Sequence, residues 1–200
     1  MRIRLLPIGI ALLVLAGGCC DSKQPLYTPE TIKRDLDLAG TWEGYDPRLE
    51  KFDSDSPITI AALGDGKFEA RWSENLGDAK TPRVEKHSAI LRGVELNGSL
   101  YLDIELLNPA QDPLPVFLAG EHQIVLAQLE GDRLQLASLD RHKVKACAAA
   151  DNLHFTSGEW GAVTLDEPTA SLQKFVTTHR NKIFELSGEA RRVARPQAAD

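Results

Sequence analysis

The stretch that decides the fold runs from His87 to Leu106 and reads HSAILRGVELNGSLYLDIEL. Its centre, Asn97-Gly98, accepts the positive φ angles of a two-residue hairpin turn. After the turn every second residue from 100 to 106 is apolar, while Asp103 and Glu105 face the other way. This period of two predicts an antiparallel hairpin with one buried face and one face toward water.

The same pattern recurs on both sides of this hairpin. Residues 58–62 and 68–72 alternate around the turn Gly64-Asp65-Gly66, and residues 123–129 and 134–139 flank the turn at 130–132. A shorter pair is predicted at 154–156 and 162–165, and a last strand at 189–193. Six or more strands linked by hairpins favour a meander that closes into a barrel, because closure removes the exposed edges.

One strong helix is predicted from Glu167 to about His179, with Asp166 as its cap and Pro168 in its first turn. Its apolar face, Leu172-Phe175-Val176, is expected to pack on the domain, either against the outer wall or over one end. A short second helix is predicted at 140–150. The fold class is therefore mainly β: an antiparallel meander closing into a barrel-like domain, with one amphipathic helix before the last strand.

The N-terminus has the composition of an export signal. Arg2 and Arg4 precede an apolar segment, residues 5–16, that is too short to span a bilayer. Residues 1–18 are predicted to be a lipoprotein signal peptide, 19–37 a lipidated tether, 38–195 the barrel-like domain and 196–200 a disordered tail.

The end of the signal, Leu15-Ala16-Gly17-Gly18-Cys19, resembles the lipobox of bacterial lipoproteins. The resemblance implies cleavage before Cys19 and a covalent lipid on its thiol, with Cys20 as the alternative site. The resemblance also implies that the protein is located in the cell envelope. In Gram-negative sorting, modification of Cys19 implies the outer membrane facing the periplasm, whereas modification of Cys20, which precedes Asp21, implies the inner membrane.

The chain without its signal is acidic, with 21 basic and 29 acidic residues. This charge argues against nucleic acid as a partner and against charge-driven binding to anionic lipid headgroups. With one cysteine lipidated, Cys20 and Cys147 are left as a possible disulfide in an oxidising compartment. The alternative is a buried free thiol at Cys147.

The first strand of the domain contains Gly40-Thr41-Trp42, which is similar to the Gly-x-Trp signature of lipocalin-like barrels. That resemblance implies that Trp42 closes one barrel end and that a late arginine, Arg191 or Arg192, packs over it; the pair expected is Trp42 with Arg191. The order of the motifs resembles a group of uncharacterised lipocalin-like barrel lipoproteins. The position of the main helix, before the last strand, departs from lipocalins.

No motif indicates catalysis, a metal or a cofactor. The five histidines are scattered, and no Gly-x-Ser-x-Gly elbow is present. The function expected is a non-enzymatic, membrane-anchored binding module for a small apolar ligand. The alternative is an interaction or assembly protein that docks another envelope component. A wide apolar lumen favours the first, and a lumen filled by Trp42, Trp72, Phe68 and leucines favours the second.

Overall fold

The structure, a computed structural model, describes residues 20–47, 50–75, 84–107, 121–158 and 161–196. This part of the chain forms eleven strands and three helices. The strands are β1 Cys20–Ser22, β2 Gly40–Asp46, β3 Lys51–Gly64, β4 Lys67–Asn75, β5 Val84–Leu96, β6 Ser99–Leu106, β7 His122–Glu130, β8 Arg133–Leu139, β9 Phe155–Ser157, β10 Val163–Leu165 and β11 Phe184–Ala194. The helices are α1 Arg141–Ala150, α2 Thr169–Thr178 and α3 Arg180–Ile183.

Eight antiparallel strands close into a barrel. Strands β2 to β8 pair in chain order, and β11 lies between β8 and β2, which closes the ring. The hairpin from 87 to 106 pairs Ala89 with Leu106 and Leu96 with Ser99 around the predicted turn. The predicted fold class, an antiparallel barrel with helices before the last strand, is confirmed. The last strand is longer than predicted and contains a bulge between Leu186 and Gly188.

The segment from 20 to 37 lies against the barrel, whereas its polar composition predicts a tether. Strand β1 is parallel to β10, with Cys20 opposite Val163, and antiparallel to β7. Leu26 is fully buried, and Ile32 forms a bridge with Val94 of β5. The ordered domain therefore begins by residue 20.

The inside of the barrel is filled with large side chains. Because residues alternate between the two faces of a strand, one residue in two from each barrel strand contributes to this interior. The buried members are Leu38, Trp42, Ile58, Ile60, Phe68, Ala70, Trp72, Ala89, Leu91, Leu102, Ile104, Val125, Ala127, Leu134, Leu136 and Ala190.

A second core lies outside the barrel, between the wall and the helices. On β5 to β7 it uses the residues that alternate with those of the interior, so it faces outward. Its members are Cys20, Leu26, Val94, Leu96, Tyr101, Ile124, Leu139, Val144, Ala148, Val163, Leu165, Leu172, Phe175, Val176 and Ile183. We call this set the outer cluster.

Helix α2 packs into the outer cluster through Leu172, Phe175 and Val176. Of the two placements expected for the helix, the structure has the one on the outer wall. It begins at Thr169 without a side-chain cap. The predicted cap, Asp166, instead accepts a hydrogen bond from Lys23 Nζ at 2.6 Å. No helix in the described ranges has the length and apolarity needed to cross a bilayer.

Candidate functional site

One end of the barrel is closed by a tryptophan and an arginine. Arg192 lies opposite Trp42 in the pairing of β11 with β2, and its guanidinium carbon is 4.8 Å from the centre of the indole ring. Trp42 is 1 % exposed and donates from Nε1 to the Leu38 carbonyl at 2.9 Å. A cation held over an indole face and shielded from water makes a favourable cation–π contact.

The Arg192 side chain is only 1 % exposed, and its guanidinium ties three parts of the chain together. It donates to the Asp37 carboxylate at 2.8 Å, to the Asp37 carbonyl at 2.6 Å, to the Ala39 carbonyl at 3.1 Å and to the Gly131 carbonyl at 3.3 Å. The hydrogen bond from Arg192 lowers the pKa of Asp37. Arg192 therefore holds the segment before β2 and the β7–β8 turn together over this end of the barrel.

Gly40, the glycine of the Gly-x-Trp motif, is required by this closure. Its φ of +146° suits glycine, and a Cβ there would lie 2.6 Å from the Ala194 carbonyl oxygen and 2.9 Å from Arg192 Cδ. The Gly-x-Trp motif therefore places a glycine where β2 and β11 approach each other closely, and it places the indole that covers this end two residues later.

The expected pair of Trp42 with Arg191 is wrong, and its neighbour Arg192 takes that place. Adjacent strand residues face opposite sides of a sheet, so Arg191 points outward. It donates to Glu43 at 2.8 Å and 3.0 Å, and its guanidinium carbon lies 4.5 Å from the centre of the Phe52 ring. Its side chain is 50 % exposed.

A cavity of about 500 Å³ opens between β3, β4 and β5. Its lining includes a cross-strand pair, Trp72 and His87, whose rings stack on each other at 5.3 Å with an interplanar angle of 20°. The other lining residues are Asp55, Ser56, Pro57, Thr59, Arg71, Ser73, Lys86 and Ser88. Trp72 was expected in the core and Lys86 had no predicted role, so the sequence did not indicate a cavity here.

The cavity is lined by hydroxyl groups and basic side chains. Arg71, Ser73, Lys86 and Ser88 alternate with Trp72 and His87, so their side chains lie on the opposite face of the strands. Arg71 is held at its edge by two hydrogen bonds to Glu69, at 2.8 Å and 2.9 Å. Among the described residues the buried indole Nε1 of Trp72 has no hydrogen-bond partner. Such a lining offers hydrogen-bond donors and positive charge to a polar or anionic ligand.

A buried polar network joins the N-terminal segment to the wall. The Asp103 carboxylate accepts from the Leu26 amide at 2.6 Å and lies 2.7 Å from His122 Nδ1. Burial opposes protonation of His122, but the hydrogen bond and charge of Asp103 outweigh it and raise its pKa. Burial, helped by the charge of Glu121, raises the pKa of Asp21 to about 7.

The structure describes two of the three cysteines. Cys19 lies outside the described residues. Cys20 is in β1 and is 5 % exposed, inside the outer cluster. Cys147 is a half-buried free thiol on α1, so the disulfide with Cys20 is not formed in the structure. In the ranges that the structure describes, no group of three or more His, Cys, Asp or Glu side chains is placed to hold a metal ion.

The fold and its Trp42–Arg192 closure define a small closed antiparallel barrel with helices on its outer wall. The chain matches no family model, no curated protein and no solved structure at significant similarity.

Proposed function

We propose that the protein is a lipid-anchored, non-enzymatic binding module of the bacterial cell envelope that takes a small ligand in the cavity between β3, β4 and β5. The observation that carries the proposal is the asymmetry of the barrel. Trp42 and Arg192 close one end, whereas a cavity of about 500 Å³ opens between β3, β4 and β5. This volume lies within the range of about 300–1,000 Å³ that small-molecule sites occupy.

The ligand that fits best is small, with polar or anionic groups. Lys86 and Arg71 provide positive charge, and Ser56 provides a hydroxyl group. Because Phe68, Trp72 and the other interior side chains fill the barrel, the ligand sits at the rim and not deep in the lumen.

A direct test is native mass spectrometry of protein purified from its own host. Ser56 lines the cavity, so Ser56→Trp should fill it. Ala61→Phe, on the exposed side of the same strand, is the matched control. We expect a retained mass in the wild type and in Ala61→Phe but not in Ser56→Trp. A mass that persists in Ser56→Trp would place the ligand elsewhere and contradict the proposal.

The anchor is proposed on Cys19. Cys20 is 5 % exposed and packs in the outer cluster, so a diacylglycerol group on its sulfur would have to displace buried side chains. With Cys19 modified, the residue that follows is Cys20, which by the sorting rule points to the outer membrane. Cys19→Ala should accumulate as an unprocessed precursor without acyl label. Normal labelling of Cys19→Ala, with loss of label in Cys20→Ala, would contradict the assignment.

A second candidate function, docking of another envelope protein, is favoured by the filled lumen and by one exposed groove. Leu186 is 75 % exposed and lines a cavity of about 510 Å³ together with Leu126, Leu129 and Arg180. If this groove holds a partner, Leu186→Glu should abolish crosslinking to that partner in cells and leave the urea midpoint unchanged. A retained small ligand without any crosslinked partner would exclude this candidate in favour of the first.

A further inference from the structure

The segment before the barrel is held to the domain in two parts that meet at a turn. The turn is closed by the Thr31 amide, which donates to the Thr28 carbonyl at 3.1 Å. We call residues 20–27, which precede the turn, the strap. Residues 31–37 follow the turn, and the two parts are held by contacts of different kinds.

The part after the turn is held by backbone pairing and close apolar packing. The Lys33 amide donates to the Gly93 carbonyl at 2.9 Å, and the Glu95 amide donates to the Thr31 carbonyl at 2.9 Å. A Cβ on Gly93 would lie 2.6 Å from Leu36 Cδ2, so the segment fits closely against β5. Contacts of this kind do not depend on a proton in the neutral range of pH.

The strap lies between the barrel wall and α2. Its Leu26 is fully buried, and the Leu26 amide donates to the Asp103 carboxylate at 2.6 Å. The Leu26 carbonyl accepts from Gln173 Nε2 of α2 at 2.8 Å. The first residues of the strap form β1, which pairs with β7 and β10. Docking of the strap therefore requires that the polar groups around Leu26 and in β1 be buried.

Asp21 is the buried acid of the strap. It is 7 % exposed, lies opposite Gln123 of β7 and is repelled by Glu121, just before β7. In the described ranges no side chain donates a hydrogen bond to its carboxylate. Lys23 of the strap is paired with Asp166, just after β10, at 2.6 Å. A carboxylate buried in this way costs free energy unless it takes up a proton.

A second titrating group lies next to Leu26. His122 Nδ1 is 2.7 Å from the Asp103 carboxylate that holds the Leu26 amide. Burial opposes a positive charge on His122, but the hydrogen bond and charge of Asp103 prevail and raise its pKa. Glu105 of β6 favours this charge, and Arg92 of β5 opposes it. Loss of the His122 proton leaves the buried charge of Asp103 unbalanced, so a rising pH weakens this contact as well.

We propose that the strap is a pH-dependent latch, whose docking on the wall weakens as the pH rises toward neutrality and whose hinge is the turn at 28–31. Burial, helped by the charge of Glu121, raises the pKa of Asp21 to about 7, whereas a detached strap has the ordinary value of 3.8. The docked strap therefore binds the proton more tightly than the detached strap. Docking is strongest below the ordinary value and is lost progressively as the pH rises through about 7. The latch requires neither the proposed ligand nor the proposed lipid.

The test measures how fast a maleimide labels Cys20, which is 5 % exposed in β1, in the full chain kept in detergent with Cys19→Ala and Cys147→Ala. Asp21→Asn is the matched variant, because its side chain has nearly the same shape and carries no charge at any pH. The ratio of the two rates at each pH removes the pH dependence of the thiol reaction itself. A control chain has its sole thiol in the barrel interior, as Ala89→Cys with Cys20→Ala, where labelling requires the barrel to open.

We expect the ratio of the wild-type rate to the Asp21→Asn rate to rise about fiftyfold between pH 5 and pH 7, since the pKa changes from 3.8 to about 7 on docking. Cys20 should also be labelled at least about tenfold faster than Ala89→Cys at pH 7, because a local opening costs less than unfolding of the barrel. A ratio that stays constant with pH overturns the latch. Labelling of Cys20 no faster than of Ala89→Cys also overturns it, because the strap then opens only with the barrel. This second comparison keeps Asp21 and is decisive whatever Asp21→Asn does to folding.

Discussion

Replacing Arg192 by alanine should destabilise the barrel far more than replacing Arg191. The Arg192 guanidinium is almost fully buried, makes four hydrogen bonds and covers the Trp42 ring. Its removal leaves the Asp37 and Gly131 carbonyls short of a donor and uncovers the indole. Arg191 is the matched control, because it precedes Arg192 in the same strand and its side chain is half exposed.

The magnitude follows from these contacts. Breaking a buried charged network by removing one partner costs about 3–5 kcal/mol, whereas an exposed ion pair contributes about 0–1 kcal/mol. With a urea m-value of about 2 kcal/mol/M, Arg192→Ala should lower the unfolding midpoint by about 1.5–2.5 M. Arg191→Ala leaves the mostly buried Glu43 carboxylate without this partner, at about 1–2 kcal/mol, and should lower the midpoint by about 0.5–1 M.

The measurement is equilibrium urea unfolding followed by tryptophan fluorescence, with both variants at the same pH. Equal shifts for the two arginines, or a larger shift for Arg191→Ala, would refute the assignment of the closure to Arg192. A loss of Trp42 burial without a loss of stability would show that the carbonyl contacts of Arg192 contribute nothing.

Three further predictions concern the outer wall. Phe175→Ala should cost about 3–5 kcal/mol in urea unfolding because Phe175 is buried in the outer cluster, while exposed Lys174→Ala should stay within about 0.5 kcal/mol; near-equal costs would mean that α2 does not hold the wall. Asp21 has a raised pKa of about 7, so the folded state binds the proton more tightly than the unfolded state and stability should fall as pH rises from 4 to 7. Asp21→Asn should flatten that fall and be more stable than the wild type at pH 8 but not at pH 4; parallel pH curves would contradict it. Asp103→Ala removes the acceptor of the Leu26 amide, so trypsin should cut at Lys23 faster than in the wild type; unchanged cleavage would show that the network does not hold this segment.

Local pattern was sufficient for the barrel. The alternation from 87 to 106 and the turn at Asn97-Gly98 predict a hairpin that the structure contains in the same register. Both signals depend only on residues within one hairpin, so they do not depend on how the rest of the chain folds. The start of α2 was predicted two residues early, because Asp166 resembles a helix cap but its carboxylate is used by Lys23, far away in the sequence.

Long-range pairing explains what the sequence could not predict. The sequence does not show which of the neighbouring arginines, Arg191 or Arg192, packs on Trp42. Only the register of β11 against β2 decides that Arg192 does. The cavity depends on the pairing of Trp72 with His87 across two strands. Strand β1 is three residues long and polar in sequence, and it exists only because β10 and the free edge of β7 offer it partners.

The position of β1 links the proposed anchor to the proposed binding site. In the ring of eight strands β7, with which β1 pairs, is opposite β3, which lines the cavity together with β4 and β5. An anchor on Cys19 therefore holds the barrel by the wall farthest from the cavity. The ligand site then faces the aqueous compartment, so the proposed anchor and the proposed binding site can hold in one orientation of the molecule. A cavity beside β1 would have been covered by the same membrane that holds the protein.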